Sequence, residues 1–120
     1  MPKATVNVLD THHYDLKSLE EGWIELRRMP YGEWLKRQEM ALKMQFTGTN
    51  KADASAAVAL ANVEVTFFEY KNCVADHNLE DENGQKLDFR NKLSIINLDP
   101  RIGNEISQYI TELHEFDLPN

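Results

Sequence analysis

Apolar and polar positions alternate with a period of two in two short runs near the start of the chain. In the first, Thr5, Asn7 and Leu9 oppose Ala4, Val6 and Val8; in the second, Trp23, Glu25 and Arg27 oppose Ile24, Leu26 and Arg28. Successive strand side chains point to opposite faces, so each run predicts a short half-buried strand, and the two predict a β-hairpin over residues 4–28. The polar stretch Asp10-Thr11-His12-His13-Tyr14-Asp15 reads as a loop, or as the irregular end of the first strand.

At Met29-Pro30-Tyr31-Gly32 the period changes. Pro30 pushes Met29 out of helical geometry yet is tolerated in a first helical turn, and Glu33 suits the positive end of a helix. Tyr31, Leu35, Gln38 and Leu42 then fall on one stripe with Trp34 and Ala41 beside it, which predicts a helix to about Met44, with Met40 and Met44 filling gaps in its packing. Gly48 and its polar neighbours predict a loop over 45–51. From Ala52 to about Ala75 there is no Gly or Pro. Val58, Ala61, Val65 and Phe68 form one stripe of that segment and Leu60, Val63, Phe67, Tyr70 and Val74 another, so a long helix is expected with two apolar faces: one for the core, the second for further packing or another chain.

Asp76 to Gly84 is an acidic loop closing in an Asn-Gly turn. Asp88 is placed to cap a short helix over Phe89 to Leu98, with Phe89, Leu93 and Ile96 on one side. Asp99-Pro100 combines a good N-cap with a good first helical residue. The helix that follows carries a clean stripe of Ile102, Ile106, Tyr109, Ile110 and Leu113 and is expected to end near Phe116. That stripe belongs either in the core or against a second copy. The pattern as a whole predicts a mainly α fold: a four-helix single domain over 1–120, with an N-terminal β-hairpin at 4–28, helices over 31–116 and a frayed C-terminus at 117–120.

Composition narrows the function classes. The chain has 120 residues, 42% of them hydrophobic and 28% charged, as in ordinary globular proteins. A single core of this size leaves a large surface, so its stability is expected to lean on association. No apolar run approaches the length of a membrane span, and Met1-Pro2-Lys3-Ala4-Thr5 lacks the apolar core of a signal peptide, so a cytoplasmic protein is expected. The net charge is −7, and it lies in the second half: residues 1–60 carry eight Lys/Arg against eight Asp/Glu, residues 61–120 five against twelve. With Arg27-Arg28 and Lys36-Arg37 as the basic groupings, each beside acidic residues, nucleic acid is not expected as a partner. The acidic excess serves solubility, or offers a face to a basic partner.

Catalytic chemistry finds little footing. The single cysteine, Cys73, precludes an intrachain disulfide and is expected as a small buried apolar residue. Asp10, His12, His13 and Asp15 are the one cluster of metal-ligand types, but adjacent histidines on a strand point to opposite faces, and a solvated loop is the expected reading. His77 and His114 are isolated and expected on the surface. Neither a GxSxG nucleophile, a phosphate-binding glycine loop nor an HExxH pair occurs. The carboxylate runs Glu20-Glu21 and Glu80-Asp81-Glu82 look exposed, where their pKa values would not be driven apart. The expectation is a non-enzymatic interaction protein with no cofactor and no metal.

At Glu25-Leu26-Arg27-Arg28-Met29-Pro30-Tyr31-Gly32-Glu33-Trp34-Leu35, with Arg37-Gln38-Glu39-Met40 after it, the chain resembles the tail assembly chaperones of long-tailed bacteriophages. Leu98 to Ile106 and Glu112 to Phe116 look like the closing helix and acidic end of such proteins; together these segments cover under half of the chain. The resemblance implies a small, mainly helical protein of the host cytoplasm that coats the tape measure protein, helps recruit tail tube protein for tube polymerisation, and is absent from the mature virion. It also raises the question of a longer, frameshifted form, which an amino-acid sequence does not answer. The apolar stripes make Phe67, Tyr70, Val74, Ile102, Ile106, Tyr109, Ile110 and Leu113 the candidates for partner binding or for self-association into a homo-oligomer. Competing readings are a structural head–tail connector protein and, further off, a small metal-dependent hydrolase using Asp10, His12 and Asp15.

Overall fold

The computed structural model describes residues 2–7, 9–45 and 63–114. In chain order these hold β1 (His12–Asp15), β2 (Trp23–Leu26), α1 (Tyr31–Gln45), the helical residues 63–73 (α2), β3 (Val74–His77), α3 (Lys92–Ile96) and α4 (Pro100–His114). The expected helix start at Ala52 lies outside the described residues, as does the end of the last helix beyond His114.

The architecture is mixed α/β, which corrects the mainly α expectation. The three strands form one antiparallel sheet in the order β1-β2-β3, so the strands are more than an N-terminal hairpin. The hairpin itself is displaced along the chain. Residues 4–7 are not a strand; β1 is the stretch His12–Asp15 that reads as loop in sequence, paired so that His12 faces Leu26 and Asp15 faces Trp23. A tight connection makes this register: Leu16 N donates to Gly22 O at 2.8 Å and Gly22 N to Leu19 O at 3.0 Å. Glu21 takes the left-handed conformation there, with φ of 64°. Asn78 holds it, its Nδ2 donating to Glu21 O and its Oδ1 accepting from Trp23 N, both at 2.8 Å.

β3 comes from a segment expected to be helical to Ala75. The helix stops at Cys73, whose carbonyl accepts from Arg27 N at 2.8 Å, and the chain then runs along β2 with Ile24 opposite His77 and Leu26 opposite Val74, irregular between Glu25 and Leu26. The physical reason is β2 itself. Ile24 and Leu26 are fully buried, so the backbone between them cannot meet water and needs a ladder on both sides. One more helical turn would have gained only local bonds.

Behind the sheet lies the core. Ile24, Leu26, Leu16 and Met29 meet Tyr70 and Cys73 of α2, Leu79 and Phe89 of the following loops, and Ile106, Ile110 and Leu113 of α4. The α4 stripe is thus inside the fold, with Ile102 and Tyr109 packed against the same cluster. Asp99 begins α4 as expected, its Oδ1 accepting from Arg101 N at 2.9 Å. The short helix differs: α3 starts at Lys92 behind Asn91, which caps Leu93 N, while Asp88 closes a turn onto Arg90 N.

Glu105 ties α4 to the β1–β2 connection. Its carboxylate accepts from Lys17 N at 2.7 Å, Ser18 N at 2.8 Å, Ser18 Oγ at 2.6 Å and the Tyr109 hydroxyl. Burial works to raise its pKa, but these donors outweigh it and hold the carboxyl at about 2, below the ordinary 4.5. The stability it contributes is therefore present above about pH 4.5 and is lost as pH falls from there toward 2. Glu105→Ala should cost about 2 kcal/mol at pH 7, the scale of hydrogen bonds to a charged group discounted for partial exposure. Urea unfolding at pH 7 and pH 3 checks both statements: the gap between variant and parent should be smaller at pH 3.

Candidate functional site

Helix α1 follows Met29-Pro30 and starts with Trp34 N donating to Pro30 O at 3.0 Å. Of the stripe Tyr31, Leu35, Gln38 and Leu42 that its spacing predicts, the three apolar members face outward. Tyr31 is 72% exposed, Leu35 45% and Leu42 55%, whereas Trp34, Arg37, Gln38 and Ala41 are half-buried. A charged anchor holds this orientation. Arg37 Nε lies 3.6 Å from Glu69 Oε2 of α2, and Glu69 is buried. Burial raises the Glu69 carboxyl above its ordinary value, and Arg37 pulls it part of the way back. Turning Arg37 outward would leave a buried acid without its cation, which costs several kcal/mol. Exposing two leucines and a tyrosine in part carries a cost of the same order, which the retained ion pair offsets while the apolar stripe faces water.

A second apolar area surrounds α3. Leu93 is 63% exposed, Ile96 59% and Val63 39%, and none of the residues of α3 is buried. Lys92 binds α3 to α2, with Nζ at 2.5 Å from Glu64 Oε1 and 5.4 Å from the centre of the Phe67 ring. Phe67 is half-buried and lies outside the core cluster.

The candidate residues from sequence thus separate. Tyr70, Ile106 and Ile110 are at most 1% exposed, Leu113 is buried, and Val74, Ile102 and Tyr109 pack on the core, so the fold itself uses these seven. Phe67, the eighth candidate, is half-buried and packs outside that cluster. Sequence periodicity missed Leu35, Leu42, Leu93 and Ile96 as exposed because it reports that a helix has an apolar face without saying whether that face is covered.

His77 is buried and His114 half-buried, where both are expected on the surface. On β3 the alternation places His77 on the face of Ile24, where it is buried against the Phe89 ring at 4.8 Å and its Nδ1 accepts from Leu79 N at 3.0 Å. His114 Nε2 accepts from Met29 N at 2.7 Å, so Nδ1 carries the proton and donates to Ile110 O at 2.7 Å. That pattern is satisfied by the neutral ring alone. Burial, ahead of other influences, lowers both pKa values below 6.5. A histidine depressed in the folded state leaves stability intact above pH 6.5 and erodes it below, where the unfolded chain takes up protons that the folded chain refuses. Urea midpoints should fall between pH 7.5 and pH 5.5, and His114→Gln, whose amide oxygen can still accept from Met29 N, should shrink that fall.

Cys73 Sγ lies 4.0 Å from His114 Nε2, a juxtaposition that invites comparison with a thiolate–imidazolium nucleophile. Its chemistry runs the other way. The thiol is fully buried, burial pushes its pKa up to about 12, and the histidine nitrogen is already engaged by Met29. Cys73 is a core side chain, as its sequence suggests. In β1, His13 and Asp15 share the solvent face at 3.0 Å, and His13 stacks on Trp23, while His12 lies on the opposite, half-buried face. Asp10, His12 and Asp15 are not brought together, and among the described residues no group of three or more His, Cys, Asp or Glu gathers as metal ligands. No helix of the described residues is long and apolar enough to cross a membrane. Comparison with protein families, curated proteins and solved structures found no match to the chain.

Proposed function

We propose that this protein is a non-enzymatic tail assembly chaperone that binds the tape measure protein and promotes tail tube polymerisation. The observation that carries the reading is the outward stripe of Tyr31, Leu35 and Leu42 on a helix held in that orientation by a buried ion pair. The same helix holds much of the segment by which the chain resembles that family. An exposed row of apolar groups four and seven residues apart is the complement of an amphipathic helical partner, and the surrounding charge keeps the free protein soluble. Leu93, Ile96 and Phe67 offer a second apolar area on the same chain, suited to a further copy, to the tail tube protein or to another part of an elongated partner.

Co-expression with the tape measure protein tests the reading. Soluble yield of that protein should rise with this chain present, and the complex should co-purify and weaken only modestly with salt, since screening leaves apolar burial intact. Leu35→Asp with Leu42→Asp should reduce recovered complex at least about tenfold, because each buried leucine contributes roughly 1.5–3 kcal/mol, and should leave the melting temperature of the free protein unchanged. Equal yields with and without the chain, and no complex, would refute the role.

A further inference from the structure

Between β3 and the chain from Lys86 to Arg90 lies a cleft of about 540 Å³, closed at one side by Tyr70 and Lys71 of α2 and by Arg27 at the end of β2. The volume is in the range that encloses a small organic molecule. Four cations and two carboxylates line it. Two pairs cancel: Lys86 Nζ is 2.8 Å from Asp76 Oδ1, and Arg90 Nε is 3.2 Å from Asp88 Oδ1. Arg27 and Lys71 are left over, and neither makes an ion pair among the described residues. The remaining titratable groups on the wall add no compensating anion, since His77 accepts a hydrogen bond as a base and Tyr70 is a buried phenol.

Two uncompensated positive charges thus share one cleft on a chain of net charge −7. Arg27 lines the cleft as a half-buried residue; its Nε, like that of Arg37, is buried with no hydrogen-bond partner among the described residues. A guanidinium that no carboxylate engages matches the planar two-oxygen edge of a phosphate or carboxylate. Lys71, on the α2 wall of the cleft, contributes a flexible point charge. Two cations are far too few for a nucleic-acid backbone, especially beside the acidic second half of the chain.

We infer that this cleft binds a small molecule through an oxyanion group, phosphate or carboxylate, held by Arg27 and Lys71. The site is separate from the apolar stripe of α1 and does not depend on the chaperone reading.

The test is a titration of the full-length protein, followed by amide chemical shifts at pH 7 and constant ionic strength, with inorganic phosphate in one arm and succinate in the other. Saturable shifts confined to residues 27, 71, 74–77 and 86–90 are expected in at least one arm. Saturation by phosphate alone assigns a phosphorylated ligand, and by succinate alone a carboxylic acid. Lys71→Gln, at an exposed position, should weaken the binding about tenfold, the effect of one lost charge-assisted contact, while Lys36→Gln on α1 should leave it unchanged. Shifts that grow without saturation in both arms, or that survive Lys71→Gln undiminished, would overturn the site.

Discussion

Ile106→Asp should leave the protein unfolded or molten at 25 °C. Ile106 is fully buried in the middle of α4, among side chains of the sheet and of α2. The substitution removes a core hydrophobe and places a carboxylate where no cation partners it. Loss of a buried large aliphatic group costs about 2–5 kcal/mol, and burying an unpaired polar or charged group adds to it. A small domain has a total stability of only about 5–15 kcal/mol, so the sum consumes most of it. Circular dichroism and thermal melting check the outcome. A variant that melts like the parent would mean that α4 does not pack as described. Leu42→Asp, the same chemical change at a 55% exposed position, should move the melting temperature little.

Tyr70→Ala should cost about 3–5 kcal/mol, the range for truncating a buried aromatic residue. Tyr70 is 1% exposed, meets the Phe89 ring edge-on at 5.3 Å between centres, and donates its hydroxyl proton to Gly103 O at 2.9 Å. Burial, the chief cause, pushes its phenol pKa up to about 12, so the group stays a donor throughout the ordinary pH range. Tyr70→Phe keeps the ring and loses the hydroxyl's bonds to Gly103 O and the Ser107 side chain, at about 1 kcal/mol each. Urea unfolding of the three proteins gives the ladder directly. The result bears on partner binding: a Tyr70→Ala variant that stops binding would do so through its fold, whereas Phe67→Ala, at a half-buried position outside the core cluster, isolates the surface contribution. A Tyr70→Ala protein as stable as the parent, yet unable to bind, would instead place Tyr70 at an interface.

Taken together, the two changes separate surfaces that sequence periodicity merges. Ile106, Ile110 and Tyr70 are buried in the core, and Tyr31, Leu35, Leu42, Leu93 and Ile96 are exposed. The described residues thus keep two apolar areas in water while sustaining a core of their own.

What the amino-acid sequence determined by itself was local. The alternation of Trp23 to Leu26, the Pro30 start of α1, the Asp99-Pro100 start of α4 and the four-three-one-three spacing of its stripe all act within a few residues of one another, and each stands where the pattern put it. The tertiary structure decided what depends on partners distant in the chain. Val74–His77 became a strand because the buried edge of β2 required one, and His12–Asp15 became its other neighbour because the 16–22 connection selected that register. The Arg37–Glu69 pair, 32 positions apart, turned the apolar stripe of α1 outward. Arg27, Lys71, Lys86 and Arg90 form no pattern along the chain and meet only in the folded cleft. Periodicity reports the faces an element has; which of them is covered is settled by the cost of leaving a buried charge or a buried backbone group unpaired, and that cost exists only once the chain has folded.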